Sequence, residues 1–377
     1  METEKNASHL ECTLSDTDLF TPSFVQSDIQ HGYYEELFPI SNLDDSGPVE
    51  FNVDNATDKF IDPANSYLKM KLKIVKTDGS NLDAGENVGP VNYIFGSLFS
   101  QVDVKLGGSI ISSSSNTYSY RAIFETLLNY GKEAKQSQLQ MGLYSKDPTV
   151  NVNYFADSQV VEVCGRLHND LFNQGRLILN ALPLRITLHR NKTAFMLLTT
   201  SADPQYKLEI VEAVFCIRKV QLTAHKFIEI QKNLEKVPAV YPINRTDVRA
   251  HSVAAGLTSL NWDNAFQGQL PNRVFIAMVN NRSFTGSFAT NPFKFEHYSV
   301  AKVGVYVNGD SLPAQPLKLN FAKDQYLDGY RSLFVTNGKI SRDEGLDISR
   351  TEYKNGYTMF GFDISPALCN GGHNEPV

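Results

Sequence analysis

The sequence predicts a mainly β chain organised as two similar sandwiches in tandem. Three observations carry this expectation: apolar residues alternate with period two, such segments occur in every third of the chain, and three landmarks recur in one order. A length of 377 residues fits two compact units, each with its own core. Hydrophobic residues at 42%, charged residues at 20% and aromatics at 11% describe a chain that folds rather than a disordered polymer.

The first clear strand is YLKMKLKIVKTDG (67–79), where Leu68, Met70, Leu72 and Ile74 share a face and Asp78-Gly79 makes the turn. Further strands read at Ser100–Leu106, Val160–Cys164, Leu184–His189, Leu208–Arg218, Arg273–Val279 and Ala301–Val307. Helical spacing is rarer. In TYSYRAIFETLLNYG (117–131), Ile123, Leu127 and Tyr130 recur at three and four and Gly131 supplies a stop. In AHKFIEIQKNLEKV (224–237), Phe227, Ile230, Leu234 and Val237 form a stripe that ends before Pro238, and this helix is read as the connector between domains.

The landmarks pair as follows. VDVKLGG (102–108) matches VGVYVNG (303–309), each a strand running into a Gly-containing hairpin turn; YRAIF (120–124) matches YRSLF (330–334); and VEVCGRLHNDL (161–171) matches YTMFGFDISPAL (357–368). Their shared order indicates duplication, and each half has room for about eight strands in a jelly roll, two four-stranded sheets face to face. One long irregular sandwich is the rival. After its third landmark the first half continues through LPLRITLHR (182–190) and YKLEIVEAVFCIRKVQL (206–222), whereas only nine residues follow Leu368. The second sandwich is therefore expected to lack its last strands and to expose apolar faces and sheet edges. The expected boundaries are an N-terminal arm and entry strand at 1–45, the first jelly roll at 46–223, the helical connector at 224–238 and the second jelly roll at 239–377.

A net charge of −6 argues against wrapping nucleic acid through phosphate neutralisation. Acidic residues near the N-terminus and the lack of a long apolar run predict a soluble protein made in the cytosol. The N-x-S/T matches at Asn6, Asn55, Asn191, Asn244 and Asn281 are then coincidental. Cys12, Cys164, Cys216 and Cys369 are dispersed and read as free buried thiols, not a disulfide framework or zinc site. Phosphate-loop, dinucleotide, zincin and nucleophile-elbow motifs do not occur. The histidines, including His168, His189, His251 and His297, form no H-x-H pair. Glu35-Glu36 and Asp44-Asp45 read as solvated loop acids near Gly47-Pro48 rather than an acid–base pair. Arg185, His189, Arg190 and Lys192 lack the aromatic interleaving of a single-strand binding platform. No catalytic, cofactor-binding or metal-binding residue is assigned, and no cofactor is expected. The 23 Phe and 17 Tyr, dense in FTGSFATNPFKFEHY (284–298), suit contact surfaces, although roughly half should fill the cores.

SGPVEF (46–51), SSSNTYSYRAIFETLLNYGKEAKQSQL (113–139), GRLHNDLFNQGRLILN (165–180), NPFKFEHY (291–298) and DEGLDISRTEYKNGYTMFGFDISPALCNGGH (343–373) resemble the major capsid (hexon) proteins of Polinton (Maverick) elements and adintoviruses. The resemblance extends from LFTPSFVQSDIQ (19–30) to Gly372-His373. It implies a double jelly-roll virion protein without enzymatic activity, whose homotrimers form pseudo-hexagonal capsomers of an icosahedral capsid of a double-stranded DNA virus or integrated element. The implied partners are the chain itself, neighbouring capsomers and a penton or minor capsid protein, with no specific nucleic acid, membrane insertion or small-molecule substrate. Synthesis would be in the host cytoplasm, with nuclear assembly left open. Relatives look as though they continue past the GGH segment with further strands, so a truncated, host-integrated relic serving as a non-enzymatic interaction module is the alternative. A carbohydrate-binding or metal-dependent jelly-roll enzyme is a distant third.

Overall fold

The structure is a computed structural model that describes residues 28–43, 47–54, 58–112, 115–266 and 268–364. Cys12, Cys369, Asp44-Asp45, the Asn6 and Asn55 sequons, most of the N-terminal arm and the close of the third landmark lie outside the described residues.

The fold is mainly β. Its first eight sandwich strands are β1 (Ile29–Leu37), β2 (Val49–Val53), β3 (Lys59–Lys76), β4 (Phe99–Leu106), β5 (Ser109–Ile110), β6 (Val161–Gly165), β7 (Leu184–Arg190) and β8 (Tyr206–Leu222). They form two antiparallel four-stranded sheets, ordered β1-β8-β3-β6 and β2-β7-β4-β5. Strands 1, 3, 6 and 8 in one sheet facing 2, 4, 5 and 7 in the other is the jelly-roll arrangement. The alternation dictates what lies between the sheets. Leu68, Leu72 and Ile74 of β3 and Phe215 and Ile217 of β8 face Val49 and Phe51 of β2, Val104 of β4 and Ile186 and Leu188 of β7, each at most 1% exposed. Phe51 and Phe215 meet across the gap with centroids 5.8 Å apart. Burying each such side chain contributes about 1.5–3 kcal/mol, so the pattern read at 67–79 fixes the face of the longer strand.

From residue 239 onward the same plan reappears in part. Strands β9 (Arg273–Ala277) and β12 (Met359–Asp363) pair antiparallel, as β3 does with β6. Between them, β10 (Lys302–Val307) and β11 (Asp310–Lys318) form a hairpin, as β4 and β5 do. The turn conformations also repeat. Gly107 and Gly108 have φ of 56° and 87°, and Asn308 and Gly309 have φ of 51° and 96°, the doubly left-handed two-residue turn that suits a twisted hairpin. Each hairpin precedes a helix, α1 (Tyr118–Asn129) in the first half and α3 (Leu327–Thr336) in the second. Each third strand carries a glycine where a neighbour presses close. A Cβ on Gly165 would lie 2.8 Å from the Phe95 ring, and one on Gly361 3.0 Å from the Ser332 carbonyl of α3.

The unpaired part also follows from the plan. In the first half β7 and β8 are central strands: β8 binds β1 and β3, and β7 binds β2 and β4. Among the described residues the second half has no counterpart of either. The described residues of the stretch before β9, 239–272, run without sheet pairing and leave Val253, Leu257 and Trp262 exposed.

Several expectations are corrected. The two halves do not have separate cores, because one continuous apolar cluster includes Leu68 and Phe215 of the first half with Leu333 and Phe360 of the second. Helix α1 ends at Asn129, since Tyr130 is already extended (φ −106°, ψ 140°); Gly131 instead precedes a short helix at Lys132–Lys135 and has a negative φ. Helix α2 spans Ala224–Leu234, and Val237 falls beyond it, 63% exposed. Phe227 and Ile230 of α2 pack on Phe60, Val220 and Leu222, so this helix lies against the end of the first sandwich. Glu35 and Glu36 sit in β1 rather than in a loop, paired with Lys219 and Lys69 at 2.7 Å each.

Candidate functional site

The densest chemistry lies where α1 meets the second half. One side of α1 is aromatic: Tyr120 stacks on Phe284 (5.3 Å) and meets Phe293 edge-on, while Phe124 stacks on Phe295 (5.0 Å). The aromatic segment 284–298 thus serves an internal interface, with Phe293 and Phe295 at most 5% exposed and Tyr298 at the surface.

Another face of α1 carries charge into the protein. Arg121 and Glu125, one turn apart, pair at 2.8 Å. Arg121 also donates through Nη2 to Asp170, which is 1% exposed. Glu125 Oε2 faces His168 Nδ1 at 2.7 Å, and His168 Nε2 meets the Tyr93 hydroxyl at 2.8 Å. The Tyr118 hydroxyl accepts from the His168 backbone N–H at 3.1 Å. Burial alone would raise the Glu125 carboxyl, but His168 and Arg121 outweigh it and hold it down at about 2. Burial pushes the Tyr93 and Tyr118 hydroxyls well above the usual phenol range. A polar cavity of about 20 Å³, room for one water-sized molecule, is lined by Arg121, His168, Asn169 and Thr246.

This cluster ties the extended stretch to the first sandwich. The Thr246 N–H donates to Asp170 Oδ1 (3.2 Å), Arg121 Nη1 donates to the Thr246 carbonyl (3.3 Å), and Thr117 Oγ1 donates to the Val248 carbonyl (2.9 Å). Two lysines of the first half hold the loop before α4 (Arg350–Lys354). Buried Lys135 donates to the carbonyls of Leu127 (3.1 Å) and Leu346 (2.6 Å), and desolvation lowers its ammonium to about 8. Lys146 pairs with Glu352 (2.9 Å) and Asp347 (3.2 Å).

Residues weighed for chemistry are scattered. Arg185 pairs with Glu50 and His189 with Asp103 on the outer face of the second sheet; His251 stacks on Trp262 and His297 on Phe321. Cys164 and Cys216 are free thiols; Cys216 is buried as expected, whereas Cys164 is only half-buried. Among the described residues no three His, Cys, Asp or Glu side chains group to hold a metal, and no helix is long and apolar enough to cross a membrane. Sequence reading assigned no role to Arg121, Glu125, His168 or Asp170. The available signal was two charges at i and i+4 in the otherwise apolar α1, and His-Asn-Asp inside the apolar run LHNDLF.

No protein-family model matches the chain. An uncharacterised protein of Caenorhabditis elegans is 25% identical over 349 residues, covering 88% of this chain and 83% of that protein. Among solved structures, a chain of the Sputnik virophage cryo-EM structure aligns over 56% of this chain with 10% identity and a TM-score of 0.36, and the match spans about half (51%) of that chain. The mavirus major capsid protein aligns over 57% of this chain and 51% of its own length, with 9% identity and a TM-score of 0.32. The capsid model of the virus PBCV-1 aligns over 91% of this chain and 80% of its own, with 11% identity and a TM-score of 0.44.

Proposed function

We propose that this chain is a double jelly-roll major capsid protein of the Polinton and adintovirus type, a non-enzymatic structural protein of the virion. The carrying observation is the repeated plan. The second half reproduces the first half's hairpin with its doubly left-handed turn, its helix, and the pairing that closes around them. Two similar units per chain make six similar corners in a trimer, which lets a three-fold object occupy a six-coordinated lattice position. The motifs resembling hexon proteins, spread along the chain, support the same reading. In it the first jelly roll occupies 46–223, entered by β1 from the 1–45 arm, residues 224–238 connect, and the second jelly roll begins at 239. The partners are further copies of the chain and a penton or minor capsid protein.

Light scattering on the purified protein tests this: a mass of three times 42.1 kDa is expected. A stable monomer would overturn it and favour a second reading, a capsid relic kept as an interaction module, whose support is the lack of sheet pairing among the described residues of 239–272.

A further inference from the structure

The Arg121–Glu125–His168–Asp170 cluster is unbalanced when His168 is neutral. Among the described residues Arg121 is then the only cation paired with the two carboxylates, Glu125 and Asp170, all of them at most 13% exposed at the side chain. Other charges around His168 are engaged elsewhere. In its own loop Arg166 donates to the Phe172 carbonyl (2.6 Å); from the extended stretch Arg245 reaches the Ile111 carbonyl and Asp247 pairs with Arg249 (2.9 Å). From α1 the facing groups are Tyr118, Arg121 and Glu125, and from the turn before the helix at Ile94–Ser97 it is Tyr93.

We infer that this cluster is a proton-operated latch: protonating His168 balances the buried charge and tightens the hold of the first sandwich on Thr246–Val248, and deprotonating it loosens that hold. The geometry accommodates both states. Neutral His168 donates from Nδ1 to Glu125 and accepts at Nε2 from the Tyr93 hydroxyl. Imidazolium donates from both nitrogens, and the Tyr93 hydroxyl, which is both donor and acceptor, then accepts from Nε2. Glu125 then has a cation of its own. The guanidinium of Arg121 is released to Asp170 and the Thr246 carbonyl, the two groups that grip the stretch. Against the burial that would raise it, His168 and Arg121 hold the Glu125 carboxyl down, so it stays the charged member facing His168.

The test is hydrogen exchange of the amides in 244–248, corrected for intrinsic rates, on the full chain between pH 7.5 and 5.5. Protection should rise about tenfold on acidification, the weight of turning one buried neutral hydrogen bond into a charge-assisted one. His168→Gln, which keeps a donor and an acceptor, should show no rise. Glu125→Gln leaves Arg121 and Asp170 balanced with neutral His168 and one positive charge in excess when it is protonated, so its profile should run the opposite way. A wild-type profile that stays flat or falls on acidification overturns the latch whether or not the variants fold, and so does a rise that survives in His168→Gln.

Discussion

Replacing Phe295 with Ala probes whether the two halves share one core. Phe295 is 1% exposed, lies in the second half and stacks on Phe124 of α1 at 5.0 Å with the rings 22° from parallel. Emptying a site of this kind costs about 3–5 kcal/mol. Roughly 1 kcal/mol of that belongs to the stack with Phe124, so a double-mutant cycle with Phe124→Ala should return a coupling of about that size. With a urea slope of roughly 3 kcal/mol per molar, the unfolding midpoint should fall by about 1–1.7 M. The assay is pulsed hydrogen exchange across a urea series, followed separately in peptides covering 68–74 of β3 and 357–363 of β12. A continuous core requires both to shift together. If 357–363 moves while 68–74 keeps its midpoint, the halves unfold independently and the shared core is wrong.

Arg121→Met leaves Glu125 and Asp170 buried without their cation, and a loss of about 3–5 kcal/mol is expected in chemical denaturation at pH 7; a loss below 1 kcal/mol would show the cluster to be solvated. Lys135 is protonated more readily unfolded than folded, because its ammonium sits at about 8 in the fold against an ordinary 10.5. Between these values the unfolded chain binds more protons, so this group makes stability rise with pH from about 8 towards 10. Lys135→Met should remove that rise, and an unchanged pH slope would contradict it. Gly361→Ala would place its Cβ 2.7 Å from Thr336 Oγ1 and 3.0 Å from the Ser332 carbonyl, and should cost about 1–3 kcal/mol by thermal melting as α3 is pushed off β12.

Much of this architecture was legible in the residues because it is carried by local patterns. Period-two alternation at 67–79 and the turn pairs Gly107-Gly108 and Asn308-Gly309 depend on backbone geometry over a few residues, and the structure reproduces them. The repeat was legible because duplication preserves order. What remained hidden depends on contacts distant in sequence. That Phe284, Phe293 and Phe295 pack on α1 follows from their meeting Tyr120 and Phe124, pairings no periodicity encodes. Glu35-Glu36 looked like loop acids because acidic pairs disfavour strands; in the edge strand β1 the two point to opposite faces, where buried Lys219 and half-exposed Lys69 reach them. The latch residues come from segments more than forty residues apart, joined only once the loop after β6 is brought against α1.

The most direct measurement for the central claim is electron microscopy of the purified protein's main solution species. A two-unit capsid subunit predicts a three-fold particle with six similar corners and a pseudo-hexagonal outline. A single compact particle the size of one chain, or a three-lobed particle without the doubled corners, would contradict the account.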